Sequence, residues 1–255
     1  MRIVSWNVNG IRASYDKGLF QYVSDYSPDI LCLQETKQED SKFPYDALRE
    51  AGYHAIHNGQ KTYNGVALLS RTPATDVVRN IPDFSDEQAR VIAATVAGVR
   101  VIGAYFPNGQ APDSEKFSYK MRWLEALHRW VAQELEHHDQ LVLLGDFNIA
   151  PEDRDVYDPV AWAGQIHCTP QERAHFQDLL DLGLLDAFRL FEQAPKSWSW
   201  WDYRNLAFRK NQGLRIDHIL VSTPLKPRVQ ACVIDKVPGK NERPSDHAPV
   251  VLTLE

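Results

Sequence analysis

The residues of this chain that could do chemistry gather at one kind of place, the polar positions that end a hydrophobic run: Asn7 and Asn9, Gln34 and Glu35, Tyr105, Asp146 and Asn148, Asp217 and His218, Asp246 and His247. Singly, each has an ordinary reading as a turn residue, a cap or a surface aromatic. As a set they place carboxylates, neutral amides and a histidine at the ends of unrelated strands, where open α/β sheets carry their polar function. Glu35 with one or two further oxygens would make a hard site for Mg²⁺ or Mn²⁺ and not a zinc site, because thiolates and multiple imidazoles are missing from the set. Asn7 and Asn148 could hold water or phosphate oxygens without repelling an anion. An aspartate at a buried strand end could take a proton from water, and a histidine oriented by a carboxylate could meet charge on a phosphoryl oxygen. Attack of water on a phosphodiester uses all of these parts.

Positioning such a set takes strands that end near one another. Hydrophobic runs at residues 2–6, 30–34, 65–70, 91–96, 100–105, 140–144, 215–221 and 250–254 predict strands, and their lack of strict alternation predicts cover on both faces. Between them, Phe117, Met121, Leu124, Leu127, Val131 and Leu135 recur at helical spacing over residues 114–138, behind Asp113 as a candidate cap. A second helix opens at Pro170, with Thr169 as N-cap and Glu172 completing a capping box, and runs through Phe176, Leu179 and Leu180 to a stop at Gly183. A short internal echo, Val4 to Asn9 against Leu144 to Ile149, suggests two strand ends facing each other across paired sheets. No linker or low-complexity tract divides the chain, so a single α/β domain over residues 1–255 is expected.

Composition narrows the class. The 255 residues are 44% hydrophobic and 24% charged, ordinary for a globular protein. No apolar run reaches the length of a membrane helix, and the start MRIVSWNVNG lacks a signal-peptide layout; a cytoplasmic monomer without a membrane partner is expected. Cys32, Cys168 and Cys232 show no CxxC spacing, which argues against a disulfide framework and a thiolate zinc site. A net charge of −6 argues against non-specific coating of nucleic acid but allows a local basic patch.

The segments SWNVNGIRA, DILCLQETK, YNGVALLS, GAYFPNG, GDFNIAP, WSWWDYR, GLRIDHILVS and PSDHAPV, in that order from residue 5 to residue 250, resemble the exonuclease III branch of the endonuclease/exonuclease/phosphatase superfamily. The resemblance implies a four-layer α/β sandwich, two facing mixed sheets with helices outside, and Mg²⁺-dependent hydrolysis of DNA phosphodiesters in base excision repair, with Mn²⁺ as a substitute. It implies Glu35 as the main metal ligand, assisted by Asn7 and Asn9 and, at a second position, Asp246. Asp146 would activate or position the attacking water, Asn148 would hold the scissile phosphate, and Tyr105 would contact the phosphate or the departing oxygen. His247 would bond a phosphate oxygen while Asp217 fixes its ring. One ion or two is left open. Trp200 with Leu214 and Ile216 resembles the apolar wall on which this family seats an extrahelical sugar, while Trp198 and Trp201 read as core. Arg204, Arg209, Lys210 and Arg215 gather positive charge nearby, and Lys61, Lys116 and Lys120 do so elsewhere, as DNA contacts or as solvated faces.

The chain departs from the pattern just before the second helix. Abasic-site endonucleases of the family usually carry Gly, Ser or Ala and then Phe there; this chain carries His167 and Cys168. Metal ligation by the two is disfavoured, because adjacent side chains rarely converge on one ion. An imidazole narrows the sugar pocket and a cysteine removes part of its wall, placing both residues as a gate at the cleft rim. Flipping an internal nucleotide costs a few kcal/mol that a narrowed pocket does not repay. The expected activities are therefore 3′-to-5′ exonuclease and 3′-phosphatase on duplexes with nicks, gaps or 3′ ends, with abasic-site incision weak or absent. The alternatives are a full abasic-site endonuclease, a small-molecule or lipid head-group phosphatase, and an inactive nucleic-acid-binding regulator.

Overall fold

The computed structural model describes residues 1–14, 18–242 and 244–255. Its strands run β1 (Arg2–Asn7), β2 (Ile30–Gln34), β3 (His54–Asn58), β4 (Val66–Ser70), β5 (Thr75–Arg79), β6 (Val91–Val96), β7 (Val99–Tyr105), β8 (Leu141–Asp146), β9 (Leu184–Asp186), β10 (Trp200–Trp201), β11 (Gly213–Leu214), β12 (Asp217–Ser222), β13 (Val229–Ile234) and β14 (Val250–Leu254). The helices are α1 (Ile11–Ser14), α2 (Phe20–Tyr26), α3 (Tyr45–Glu50), α4 (Glu115–His137), α5 (Pro170–Asp181) and α6 (Ala207–Lys210).

Two six-stranded sheets form, in the orders β13-β14-β1-β2-β4-β3 and β5-β6-β7-β8-β12-β9, with β10 and β11 as a separate ribbon. Both are mixed: β1–β2 and β7–β8 run parallel, and their other neighbours antiparallel. Ile3, Ile30 and Leu68 of the first sheet pack with Ile92, Val101, Val142, Leu144 and Ile219 of the second to form the central core. On the outer face of the second sheet, Trp123, Leu127 and Val131 of α4 and Phe176 and Leu179 of α5 cover Ile102, Leu143 and Leu220. Tyr22, Val23 and Leu48 of α2 and α3 cover Val4, Leu31 and Leu69 of the first. The result is the expected four-layer α/β sandwich. Cover on both faces is why central strands such as β2, β4 and β8 read as continuous apolar runs. Each side chain so enclosed contributes about 1.5–3 kcal/mol of apolar burial. Among the described residues, no helix is long and apolar enough to cross a membrane.

Several details differ from the sequence-based expectation. Helix α4 is capped by Ser114, not Asp113: Ser114 has the extended backbone of a cap and accepts from the Phe117 amide at 3.1 Å, whereas Asp113 lies one residue too early. Strands β3, β5, β9 and β13, outside the predicted set, sit at or beside sheet edges, where half-exposed sequences such as TDVVR carry little hydrophobic signal. Helix α5 forms as expected, with both halves of the Thr169–Glu172 capping box in place.

The register decides what the strand ends bring together. Tyr105 on β7 and Asp217 on β12 both pair with Asp146 on β8, so three polar residues stand in a row across one sheet edge. Gly145 makes this row possible. Its φ is +153°, and a Cβ there would lie 1.8 Å from the Ala104 carbonyl oxygen, so a side chain would drive β7 and β8 apart.

Candidate active site

The two sheets are bridged at this edge. Asn7, ending β1, donates from Nδ2 to Glu35 Oε2 at 2.6 Å and, across the sandwich, to Asp146 Oδ2 at 2.9 Å. The internal echo is therefore a physical juxtaposition: one amide spans carboxylates from opposite sheets. Among the described residues, Glu35, Asp146 and His247 each offer a ligand atom, all within 4.8 Å of one another. The two carboxylates are oxygen donors of the kind a hard divalent cation fits, with the His247 imidazole beside them.

His247 lies between two aspartates. Its Nδ1 is 2.8 Å from Asp217 Oδ2, and its Nε2 is 3.5 Å from Asp146 Oδ2. Although burial works against its charge, Asp217, Asp146 and Asp246 hold this imidazole well above the usual histidine range. Burial pushes the Asp146 carboxyl up to about 7, helped by Asp217 and Glu35 and opposed by His247 and the Asn7 amide. Burial and the same acidic surroundings raise the Tyr105 phenol well above its usual range, leaving it neutral and able to donate. Ser199 Oγ accepts from the Ile216 and Asp217 amides at 3.0 and 2.9 Å, anchoring the start of β12.

Asn148 follows Asp146 in a tight turn with φ +51°, and its backbone amide donates to Asp146 Oδ1 at 3.0 Å. Its Nδ2 donates to the Phe106 carbonyl at 2.9 Å, and its Oδ1 faces Asn108 Nδ2 at 3.5 Å. Asn9 and Asp246 lie beside this centre. Asn9 Oδ1 accepts from Lys37 Nζ at 2.6 Å, Asn9 Nδ2 approaches Asp246 Oδ1 at 3.5 Å, and Asp246 Oδ2 accepts from Trp200 Nε1 at 3.0 Å. Asn108 and Lys37 were absent from the expected set, yet both lie inside its motifs, GAYFPNG and LQETK.

Trp200, Leu214 and Ile216 form one apolar cluster with Ala150, Val156, Trp162 and Cys168. Trp198 and Trp201 are core, 3% and 4% exposed. His167 and Cys168 are not at a rim but built into this wall. His167 is 5% exposed, its ring centroid 6.2 Å from those of both Trp162 and Trp200. Its Nδ1 lies 2.7 Å from the Asn148 carbonyl oxygen, and burial with Lys120 nearby pushes the ring down to about 3, so it stays neutral and donates there. Its φ is +75°, a left-handed backbone of the kind that favours glycine.

Two basic residues are not available to DNA. Arg215 is fully buried, bonded to Asp155 Oδ1 at 2.7 Å and Asp186 Oδ2 at 2.7 Å. Lys120 is also enclosed, ion-paired with Glu172 and donating to the Asn148 carbonyl at 2.8 Å. A buried cation must be paired, so these belong to the frame. Arg204, Arg209, Lys210, Lys61 and Lys116 are exposed; Arg204 is chelated by Asp202, and Lys116 borders the cleft beside Tyr105 and Asn108.

Comparison with known proteins agrees with this geometry. A sequence model of the Endonuclease/Exonuclease/phosphatase family matches residues 4–247. The exodeoxyribonuclease III of Haemophilus influenzae is 38% identical, the match covering 98% of each chain. A 3′ phosphatase from Neisseria, solved bound to a product DNA hairpin, is 48% identical with a TM-score of 0.98, covering 100% of this chain and 99% of that one. An AP endonuclease from Archaeoglobus fulgidus is 35% identical with a TM-score of 0.96, again over 100% and 99%.

Proposed function

The chain belongs to the endonuclease/exonuclease/phosphatase family, among its DNA repair nucleases, and from that premise we propose that it works at DNA 3′ ends, as a 3′-to-5′ exonuclease and 3′-phosphatase with little or no incision at internal abasic sites. The proposal includes a cytoplasmic monomer, a single domain over residues 1–255, and a duplex substrate with a nick, gap or 3′ end.

Glu35 is the principal metal ligand in this reading, assisted by Asn7 and Asn9; Asp146 and His247 converge on the same space, and Asp246, 3.5 Å from Asn9, makes the second position. A bound Mg²⁺ or Mn²⁺ would polarise the phosphate and offset its charge. The chain's own groups divide the remaining work. Asp146, its carboxyl raised to about 7, takes the proton of the attacking water, held by the Asn7 amide that also bonds Glu35. His247, charged and fixed by Asp217, donates to a phosphoryl oxygen, and neutral Tyr105 donates to the phosphate or the departing oxygen. Asn148 and Asn108 line the phosphate seat. Arg204, Arg209, Lys210, Lys61 and Lys116 supply exposed positive charge for the DNA backbone.

The observation that carries the choice of substrate is the enclosed His167 ring against Trp200. It fills space that a flipped deoxyribose held by both flanks would need, whereas a frayed terminal nucleotide can enter without dragging the duplex. The test is a panel of labelled duplexes, nicked, gapped, 3′-phosphate and internal abasic, with and without Mg²⁺. Cleavage should be metal-dependent and confined to 3′ ends, and His167→Gly should open abasic incision. Strong abasic incision by the unaltered protein would instead favour the endonuclease reading that the Archaeoglobus fulgidus relative suggests.

A further inference from the structure

Thr36 follows Glu35 in the sequence LQETK and is the middle of a strap, residues 35–37, whose two outer residues are strained. Glu35 and Lys37 both have left-handed backbones, φ +51° and +54°, which are unfavourable for a residue with a side chain. Such a conformation persists only where its surroundings hold it. Backbone bonds do part of this. The Gly10 and Ile11 amides donate to the Glu35 and Thr36 carbonyls at 2.7 and 2.9 Å, and Thr36 and Lys37 donate to the Gly65 and Asn64 carbonyls at 3.2 and 2.8 Å. The side-chain anchor is Thr36. It is fully buried, with Oγ1 2.8 Å from His57 Nε2 on β3. Gly65 leaves it room, since a Cβ there would lie 2.1 Å from that hydroxyl.

His57 is enclosed in turn, stacked on Phe43 with ring centroids 4.0 Å apart and planes at 17°. Its Nδ1 lies 2.7 Å from Asp40 Oδ1, an electrostatic contact in which the carboxylate stands off the N–H line. Asp40 is half in solvent and also accepts from the Gly59 amide at 2.9 Å. A neutral imidazole with its proton toward Asp40 leaves Nε2 to accept the Thr36 hydroxyl. Burying an imidazole and a hydroxyl here costs desolvation that an apolar pair would avoid.

We infer that Asp40, His57 and Thr36 form a clamp, running from the surface through a buried imidazole, that positions Glu35 to bind the cation. His57 and Thr36 are positioning residues, touching neither metal nor DNA. The inference rests on the reading of Glu35 as the principal ligand. Removing an outer partner that orients a metal ligand typically costs 10–100-fold in affinity.

The experiment titrates the full chain with Mn²⁺, following the free ion by its EPR signal, alongside the melting midpoint without metal. Thr36→Val, nearly isosteric and able to keep the packing, and His57→Ala should each weaken Mn²⁺ binding about tenfold. Asp40→Asn should have a smaller effect, and His57→Gln, which can still accept from Thr36, should recover most of the loss. Glu35→Gln is the control on the underlying reading. If Glu35→Gln binds Mn²⁺ normally, the ligand reading fails and the clamp with it. If Glu35→Gln weakens binding while Thr36→Val and His57→Ala do not, the clamp alone is overturned, even where the melting midpoint falls, since that would be a packing role.

Discussion

Asp146 carries opposing demands. It is 1% exposed, shares the Asn7 amide with Glu35, and has a carboxyl raised to about 7. A group so tuned can act as a base near neutral pH, but it is a poor contributor to stability. Asp146→Asn should therefore lower kcat by about 10²–10⁴-fold while leaving the melting midpoint unchanged or higher. A variant that lost both activity and fold would show that the carboxylate is structural. His167 poses a second residue-scale question, because its φ of +75° is unfavourable for any side chain. His167→Gly and His167→Ser both open the wall, but only glycine accepts that backbone freely. The glycine variant should be more stable by about 1 kcal/mol, read from denaturant midpoints at equal slope. Equal midpoints would mean that the loop relaxes out of the left-handed region.

At the scale of elements, the junction of α4, α5 and the turn after β8 depends on one buried ion pair. Lys120 of α4 reaches Glu172 of α5 and the Asn148 carbonyl, while Glu172 also accepts from the His167 amide at 3.0 Å and closes the Thr169 capping box. Two helices are thereby registered with the apolar wall and the Asn148 turn. Lys120→Met should cost about 3–5 kcal/mol, because it leaves Glu172 buried and unpaired. Adding Glu172→Gln, which keeps a capping acceptor but removes the charge, should restore a large part of that loss. Denaturant unfolding of the two single variants and the double measures the coupling, and additive losses would show that the pair does not act as a unit.

For the molecule as a whole, the buried histidines set its behaviour in acid. Burial lowers His57 and His218 to about 4 and His167 to about 3, against about 6.5 in an unfolded chain. Below pH about 6.5 the unfolded state takes up these protons first, so stability complete above that pH is lost as pH falls toward 4, and further toward 3 for His167. Asp146 opposes the trend, since the folded state keeps its proton up to about 7. His247, raised in the folded state, contributes fully throughout this window and loses its contribution only as pH rises through its own value. Three histidines against one carboxyl leave a net loss. The melting midpoint should fall steadily from pH 6.5 to pH 4; a flat or rising midpoint would contradict the neutral buried state of these rings.

The layered fold was legible in the sequence because covering a strand on both faces demands apolar residues throughout, as in VALLS and LVLLGD. The polar residues ending those runs were legible too, because a charge at the end of a buried strand is costly without a task. Edge strands such as TDVVR were not, since one open side relaxes the demand for apolar residues. Nor does a residue's type reveal its partner. Arg215 and Lys120 read like the solvent-facing Arg209 and Lys116, and only the fold shows that Asp155, Asp186 and Glu172 enclose and neutralise them. Asn7, Glu35, Asp146 and His247 come from four separate stretches. Sequence determined that these groups stand at strand ends; tertiary structure alone decided that two sheets would bring them within bonding distance, because that proximity depends on strand register and on the spacing set by the packed core between the sheets.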